Sequence, residues 1–351
     1  APYRPPAAQG EPRTIGEILT AAQQAAPPGF QPLSYVAPTE PGEMAAVRLA
    51  PSGRGGAAGP SGERVRIDVD PVSLQAYPNP ETGFLRQVFF LHSTLLLRNR
   101  EGRQLIGWFG VAMLVMAISG LVNWWPRRGR WHAGFTVGRG TRGYRLHRDL
   151  HGAVGIWGFA VLVIVSFAGV YLSFPESVRN TVDLVLPARD LRGVANAMRV
   201  EPVQGSEPLG IDAAVALARE QVPDTALRLV FLPVRPDQPI RVALRREGDD
   251  RHGPAVTVLV DPWARRVVEV FDPRVFSPGE TILVWQHALH AGHGFGPVWK
   301  ILVFLSGLLP LLFTVTGILM WLLRRRRRPT VPAAASDSLA DPVYTARRAG
   351  E

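Results

Sequence analysis

The sequence predicts an α-helical membrane bundle with three spans, joined to two small α+β domains outside the cytoplasm. Three observations lead to this fold class. Apolar runs at residues 105–125, 152–174 and 301–323 contain no charged residue, and each reaches the roughly 20 residues that a helix needs to cross a bilayer. Basic residues cluster after the first and the third run. The two long remaining segments each show a helical pattern followed by strand patterns.

The arginines orient the chain in the membrane. Seven of them precede the first acidic residue, Asp149, in the loop 126–151, and arginine fills every position from 324 to 328. Short basic loops stay on the cytoplasmic side, so the loop and the basic tail 324–351, which we expect to be disordered, face the cytoplasm. The net charge of +10 therefore sets orientation, and no nucleic-acid partner is needed to explain it.

The first outer segment, residues 1–104, begins with an amphipathic helical pattern at 15–25. Runs that alternate at period two follow at 32–36, 45–49 and 65–69, and the last run ends in Asp70-Pro71. Apolar alternation of this kind is typical of strands with one buried face. The segment is thus predicted to be a small α+β domain, followed by the span 105–125.

The second outer segment, residues 175–297, repeats this plan between the spans 152–174 and 298–323. A helical pattern at 211–222 precedes strand patterns at 226–232, 240–245, 256–260 and 266–271, and the third of these ends in Asp261-Pro262. A histidine follows each Asp-Pro pair, His92 in the first segment and His290 in the second, and a span follows each histidine. We interpret the two segments as an internal duplication.

Histidines concentrate at the ends of the apolar segments. His92 precedes the first span, His132, His147 and His151 precede the second, and His287, His290 and His293 precede the third. Ionisable groups at membrane depth are usually functional, and imidazoles on two facing helices can hold a haem iron. The chain has no cysteine, so a haem would be bound without covalent attachment.

Orientation sorts the candidate ligands into two groups. His92 and His290 lie at the outer ends of their spans and form the simplest haem-ligating pair, with His287 as a substitute ligand or as a partner for the haem propionates. At the inner end, His147 and His151 are four residues apart and share a helix face. His151 is the preferred inner ligand. We expect its partner histidine on a helix that would precede these residues, and His147 or His132 could substitute for that partner.

Three motifs resemble the PepSY-associated transmembrane proteins. The first runs from Leu91-His92 through Gly102-Arg103 to Trp124-Trp125-Pro126, ending in two arginines; the second is Arg148-Asp149-Leu150-His151 with Gly155; the third is Leu289-His290 with Gly292 and Phe295-Gly296. The resemblance implies PepSY-like outer domains and a bacterial inner-membrane protein whose two α+β domains are periplasmic. The family usually has four spans, so we expect a further N-terminal helix in the full-length protein.

The resemblance also implies a function. Some members resemble haem-containing reductases of ferric siderophores, and this suggests a membrane oxidoreductase that takes part in iron uptake. We expect haem b, in two copies in the full-length protein, with a ferric siderophore or another ferric chelate as substrate and membrane lipid around the helices. The chain has no dinucleotide or P-loop motif, so the electron donor would be a separate quinol or cytoplasmic reductase.

Three alternatives remain open at this stage. His287, His290 and His293 have a spacing that could hold zinc, although Glu280 is the one nearby carboxylate or thiol. The outer domains could instead form a non-enzymatic module that binds a peptide or a partner protein, anchored by the helices. A transporter component is disfavoured because the spans contain no charged residue.

Overall fold

The computed structural model describes residues 7–52, 64–79, 83–97, 100–126 and 131–325. The first copy and its span comprise α1 (Ile15–Gln24), β1 (Phe30–Val36), β2 (Ala45–Pro51), β3 (Val65–Val69), β4 (Ala76–Asn79), α2 (Phe84–Thr94) and α3 (Arg100–Trp124). The middle of the chain forms α4 (Trp131–Phe135), α5 (Gly143–Ser173), α6 (Pro175–Asp183) and α7 (Leu191–Ala197).

The second copy follows the same order of elements as the first. It contains α8 (Ile211–Gln221), β5 (Thr225–Phe231), β6 (Ile240–Arg246), β7 (Val256–Asp261), β8 (Arg266–Phe271), a 3-10 turn (Pro273–Val275), α9 (Pro278–His290), α10 (Gly296–Ser306) and α11 (Leu309–Arg325). The described part of the chain divides into two compact units. Residues 7–123 and 158–307 belong to one unit, and residues 124–157 and 308–325 belong to the other.

The eight strands form one antiparallel sheet in the order β4-β3-β2-β1-β5-β6-β7-β8. The two copies join at its centre, where Tyr35 of β1 pairs with Val230 of β5. The structure here departs from the sequence expectation of two separate α+β domains, because the first strand of each copy pairs with that of the other. We call the eight strands with α1 and α8 the sheet domain.

One hydrophobic core joins the sheet to the helices α1 and α8. It combines side chains of α1, α8 and both halves of the sheet, among them the fully buried Ile18, Leu49, Leu244 and Val258. The strands place alternate residues on this face, as their period-two sequence patterns predict. Because the core draws on both copies, neither half buries its apolar face independently of the other.

Equivalent turns in the two copies support the duplication. The Asp70 carboxylate accepts from the backbone N–H groups of the two residues at positions 72 and 73 (2.8 and 3.2 Å), and that of Asp261 accepts from positions 263 and 264 (2.9 and 3.0 Å). Each first strand also carries one bulged residue, Leu33 in β1 and Arg228 in β5. The repeated Asp-Pro pair is therefore a structural turn.

A short helix links each copy to the span that follows it. The first copy has α2 in this place and the second has α9. A capping box fixes the start of α9: the Ser277 hydroxyl accepts from the Glu280 N–H, and the Glu280 carboxylate accepts from the Ser277 N–H. Glu280 is buried and its carboxylate also receives the Arg189 guanidinium at 2.6 Å.

Among the described residues, three helical segments are long and apolar enough to cross a membrane, namely Arg100–Trp124, Gly143–Ser173 and Gly296–Arg325. The last is interrupted between α10 and α11, where Pro310 lies at the second position of α11. Proline has no N–H to donate, and its ring clashes with the carbonyl one turn earlier. The basic tail expected after the third span lies outside the described residues from position 326 onward.

Close contacts pack α3 against α5 within the first unit. A Cβ atom on Gly107 would lie 2.4 Å from the Phe174 ring, and one on Gly110 would lie 2.9 Å from a Val170 methyl group. Glycine at both positions lets the two helix backbones approach each other. This packing fixes the end of α5 that carries Val165 and Gly169, the residues that contact the candidate site.

Candidate functional site

The structure brings together the two histidines that follow the two copies. The rings of His92, near the end of α2, and His290, the last residue of α9, have centroids 5.9 Å apart and planes inclined by 29°. The two residues are 198 positions apart in the sequence, and each occupies the helix that precedes a span. The duplication thus delivers one imidazole from each copy to the same place.

A backbone carbonyl holds the His290 ring in one orientation. Its Nδ1 lies 3.0 Å from the Val165 oxygen on α5, and because a carbonyl can only accept, Nδ1 carries the proton. Burial lowers the pKa of His290, and the nearby His92 and His287 lower it further, against a smaller raising effect of the Val165 hydrogen bond. His290 is therefore neutral at pH 7, with a free lone pair on Nε2.

Glycine on α5 makes room for this ring. A Cβ atom on Gly169 would lie 3.2 Å from Cε1 of His290, which is tighter than ordinary van der Waals contact. Gly169 is one helical turn beyond Val165, so the absence of a side chain there also leaves the Val165 carbonyl accessible to the imidazole. The helix surface at this point is shaped to receive His290.

The inner candidate His151 has a comparable arrangement in the second unit. Its Nδ1 lies 2.8 Å from the Thr316 hydroxyl on α11, and that hydroxyl donates to the Leu312 carbonyl at 2.7 Å. The hydroxyl proton is thereby committed, so Nδ1 of His151 is the donor and its Nε2 is free. Its ring lies against Phe313, with centroids 4.8 Å apart.

No second imidazole accompanies His151 in the described ranges. His147, one turn earlier on α5, instead lines an open apolar groove of about 480 Å³ together with Leu150, Thr316 and leucine and valine side chains of residues 308–319. His132 lies on the short helix α4. The inner site thus has one oriented imidazole, and its ligation remains a prediction.

His287, His290 and His293 do not come together as the three ligands of one metal ion. His293 stacks face to face on His252, with centroids 3.6 Å apart and an interplanar angle of 6°, whereas the ring of His290 faces His92. Within the described residues no group of three or more His, Asp or Glu side chains could hold a metal ion. This geometry counts against the zinc alternative.

Several of these contacts have no signal in the sequence. Val165 and Thr316 are the hydrogen-bond partners of the two oriented imidazoles, yet both are ordinary residues of apolar helices. His252 was the one histidine far from any span, and its stacking on His293 joins loops 41 positions apart. Such contacts follow from the tertiary fold and leave no local pattern.

Comparison with known families matches almost the whole chain. The PepSY-associated TM region family matches residues 2–324. The chain belongs to this family. The assignment agrees with the three membrane-spanning helices and with the histidine motifs around His92, His151 and His290, and it makes the chain a membrane protein.

One curated relative of this family member comes from Pseudomonas aeruginosa (strain PAO1). The chain is 36% identical over 83 residues to the protein named "Uncharacterized protein PA4219". The alignment covers 22% of this chain and 19% of the relative. The likeness is therefore local and transfers no activity, substrate or partner.

Proposed function

We propose that this protein is a haem b electron-transfer protein of the bacterial inner membrane that reduces a ferric chelate, such as a ferric siderophore, on its periplasmic side. The observation that carries the proposal is the meeting of His92 and His290 at 5.9 Å. Each comes from one copy of the duplication. The substrate in this proposal is inferred from the family resemblance, and the haem ligands are inferred from the geometry.

The separation of the two rings leaves room for one metal ion that both imidazoles would hold. With bonds of about 2 Å to each ligating nitrogen, the ring centres would lie about 6 Å apart. The observed separation of 5.9 Å is close to this value. The donor chemistry also fits, because neutral imidazole is a common haem ligand and the pKa of His290 is lowered.

The surrounding residues hold His290 ready to bind a metal. Ligating histidines generally donate their other ring N–H to a carbonyl or carboxylate, which fixes the ring and makes the ligating nitrogen more basic. Val165 fills this role for His290. Thr316 fills it for His151, the residue that we propose as the ligand of a second haem at the inner end.

Haem iron held between imidazoles supplies one-electron transfer between its ferric and ferrous states. Electrons would enter from a separate quinol or cytoplasmic reductase on the His151 side and leave on the His92 and His290 side. Reduction of the substrate would release its iron, because hard oxygen ligands such as those of siderophores bind Fe(III) better than Fe(II). The chain itself contributes the ligands, their orientation and the membrane path.

An absorption spectrum of the purified chain tests the haem proposal. After supplementation with haem b in detergent, we expect a Soret band and the sharp α and β bands of a six-coordinate iron after reduction with dithionite. His92→Ala and His290→Ala should each abolish the six-coordinate spectrum of the outer site. Gln87→Ala, at an exposed position of α2, the helix that carries His92, serves as the control and should leave the spectrum unchanged.

Reduction of ferric citrate by the dithionite-reduced, desalted protein tests the second half of the proposal, with a ferrous-specific chelator as the readout. The outer-site variants should lose this activity. A wild-type chain that shows no Soret band after supplementation would rule out the haem proposal. A haem-loaded chain that fails to reduce ferric citrate or a ferric hydroxamate would rule out the reductase assignment alone.

A further inference from the structure

Five basic side chains lie together beside His290. We call them the basic cluster: Arg192 on α7, Arg228 on β5, His252 in the β6–β7 loop, His287 on α9 and His293 just after α9. His287 is one helical turn before His290 on the same helix. The basic cluster therefore adjoins the outer candidate ligands without including them.

One tryptophan supports the loops that carry two of these imidazoles. A Cβ atom on Gly253 would lie 3.4 Å from the Trp285 ring, and one on Gly294 would lie 2.7 Å from the same ring. Both loops thus rest on Trp285 of α9. Their packing holds the rings of His252 and His293 in parallel contact at 3.6 Å.

The two arginines of the basic cluster have no acidic partner within ion-pair distance among the described residues. Arg228 is half-buried and donates through Nη1 to the Gly253 carbonyl at 2.6 Å. The Arg192 guanidinium lies over the Tyr171 ring, 5.8 Å from its centre. Neither contact neutralises the positive charge, so both guanidinium groups keep donors for an anion.

Electrostatic effects on His287 agree with this grouping. Burial lowers the pKa of His287, and Arg192, His293 and Arg228 lower it further in that order. These three groups come from three different parts of the fold. The protonated ring nitrogen of His287 can donate a hydrogen bond to an anion.

Nearby acids do not compensate the basic cluster. Asp250 raises the pKa of Arg228, but burial and Arg245 lower it by more. The neighbouring Arg251 is engaged by Glu40 at 2.9 Å and by Glu43 at 2.6 Å. Glu40 and Glu43 are therefore committed to Arg251, and the single charge of Asp250 offsets the basic cluster only in part, so an excess of positive charge remains.

Four members of the basic cluster belong to the second copy, and the fifth, Arg192, lies on α7 just before it. Its Arg228 occupies the bulge of β5, and the equivalent bulge of β1 carries Leu33. A bulge re-aims the side chain that it carries. The fold accepts an apolar residue at this bulge in one copy, so arginine in the other is not required for the turn of the strand.

We propose that the basic cluster is a binding site for carboxylate anions, with Arg192 and Arg228 as its charged anchors and imidazole N–H groups as further hydrogen-bond donors. Arginine is suited to carboxylates because its planar fork makes paired, charge-assisted hydrogen bonds. The inference rests on the proposed function, in which two sources of carboxylate reach this place. One is a carboxylate-bearing ferric chelate, and the other is the haem propionates.

Binding of Ga(III) citrate tests the chelate source, because it resembles Fe(III) citrate in charge but is not reduced. Isothermal titration calorimetry on the full chain in nanodiscs should show binding that weakens as salt is raised. Arg192→Gln and Arg228→Leu should each raise the Kd about tenfold or more, since a lost charged hydrogen bond costs about 1.5–3 kcal/mol. Arg219→Gln, on the exposed side of α8, is the matched control and should leave it unchanged.

Transfer of haem to apomyoglobin tests the propionate source in the same variants. If the propionates occupy the basic cluster, both variants should release haem about tenfold faster or more, and Ga(III) citrate should bind the wild type and variants alike. If neither haem release nor citrate binding responds to Arg192→Gln or Arg228→Leu, the proposal is wrong. Citrate binding can be measured on haem-free chain, so a failure of the haem proposal would be seen separately.

Discussion

Gly169 lies against the His290 ring with no room for a side chain: a Cβ atom on residue 169 would lie only 3.2 Å from Cε1 of the imidazole. The α5 backbone and the ring are thus fitted to each other. This contact and the 3.0 Å hydrogen bond to Val165 depend on the same stretch of helix. Any side chain at position 169 would press on the ring and strain that hydrogen bond.

We therefore predict that Gly169→Val disturbs haem binding at the outer site. Displacing the ring removes its hydrogen bond to Val165, and loss of such a partner typically lowers metal affinity by about 10–100-fold. Haem titration followed by the Soret band measures the effect. Gly120→Val is the control, because a Cβ atom there would meet nothing within 4 Å. Equal affinities in the two variants would contradict the assigned role of His290.

Thr316→Val should affect the inner site alone. Valine keeps the shape of threonine but removes the oxygen that accepts from Nδ1 of His151 at 2.8 Å. We expect a loss of about 10–100-fold in metal affinity at this site, seen as a change in one component of a spectroelectrochemical titration. Thr314→Val is matched on the same helix, since its hydroxyl only donates to the Pro310 carbonyl. A change that appears equally in both variants would argue against a specific role of Thr316.

Glu280→Ala should destabilise the start of α9, the helix that carries His290. Burial would raise the pKa of Glu280, but hydrogen bonds from Arg189 and Ser277 lower it overall, so the carboxylate is charged. Its loss removes a capping partner, which costs about 0.5–2 kcal/mol. The Arg189 side chain is 65% exposed, so little is added by the ion pair itself.

Chemical denaturation of the full chain, followed by near-ultraviolet circular dichroism, measures this loss. Glu176→Ala is the comparison, because Glu176 lies exposed in the first turn of α6 and should cost only a few tenths of a kcal/mol. If both substitutions lower the free energy of unfolding by the same amount, the capping box of α9 makes no specific contribution to stability.

The stacked histidines predict a loss of stability in mild acid. Burial lowers the pKa of His252, as do His293, Arg251 and Arg228, while Asp250 raises it. Between the unfolded pKa of about 6.5 and the lower folded value, the unfolded chain binds more protons. Stability should therefore fall as pH drops below about 6.5 and change little above it.

Melting temperatures at pH 7.5, 6.5 and 5.5 test this dependence, and His252→Phe is the informative variant because it keeps a stacked ring but cannot titrate. The variant should lose less stability than the wild type over the same range. His132→Phe should behave as the wild type. If the melting temperature of His252→Phe depends on pH in the same way as that of the wild type, protonation of the stacked histidines does not cause the loss of stability.

Local sequence patterns predict many of the helices and strands that the structure contains. The helix predicted at 15–25 is α1 at Ile15–Gln24, and the strand predicted at 256–260 is β7 at Val256–Asp261. These elements have one buried face, so their periodicity is written in the sequence. The short edge strand β4 was missed because Pro78 and Asn79 are poor strand residues, and α2 was missed because none of its residues is buried.

Long-range pairing was beyond the sequence. Alternation of apolar and polar residues indicates a strand but not the strand with which it pairs. The pairing of β1 with β5, through Tyr35 and Val230, therefore had no local signal. Membrane sidedness predicts that His92 and His290 lie at the same end of their spans, and in the structure their rings are 5.9 Å apart. It could not find Val165 or the stacking of His252 on His293, because these depend on how separate elements pack.

The pairing of β1 with β5 relates the halves of the sheet by an approximate twofold rotation, since equivalent strands run antiparallel with equivalent bulges. A chain with one copy could build the same sheet as a homodimer, through an isologous interface in which each subunit supplies one histidine. When two such subunits are joined in one polypeptide, their sequences no longer have to be identical. Leucine at one bulge and arginine at the other is the kind of divergence that only the fused form permits.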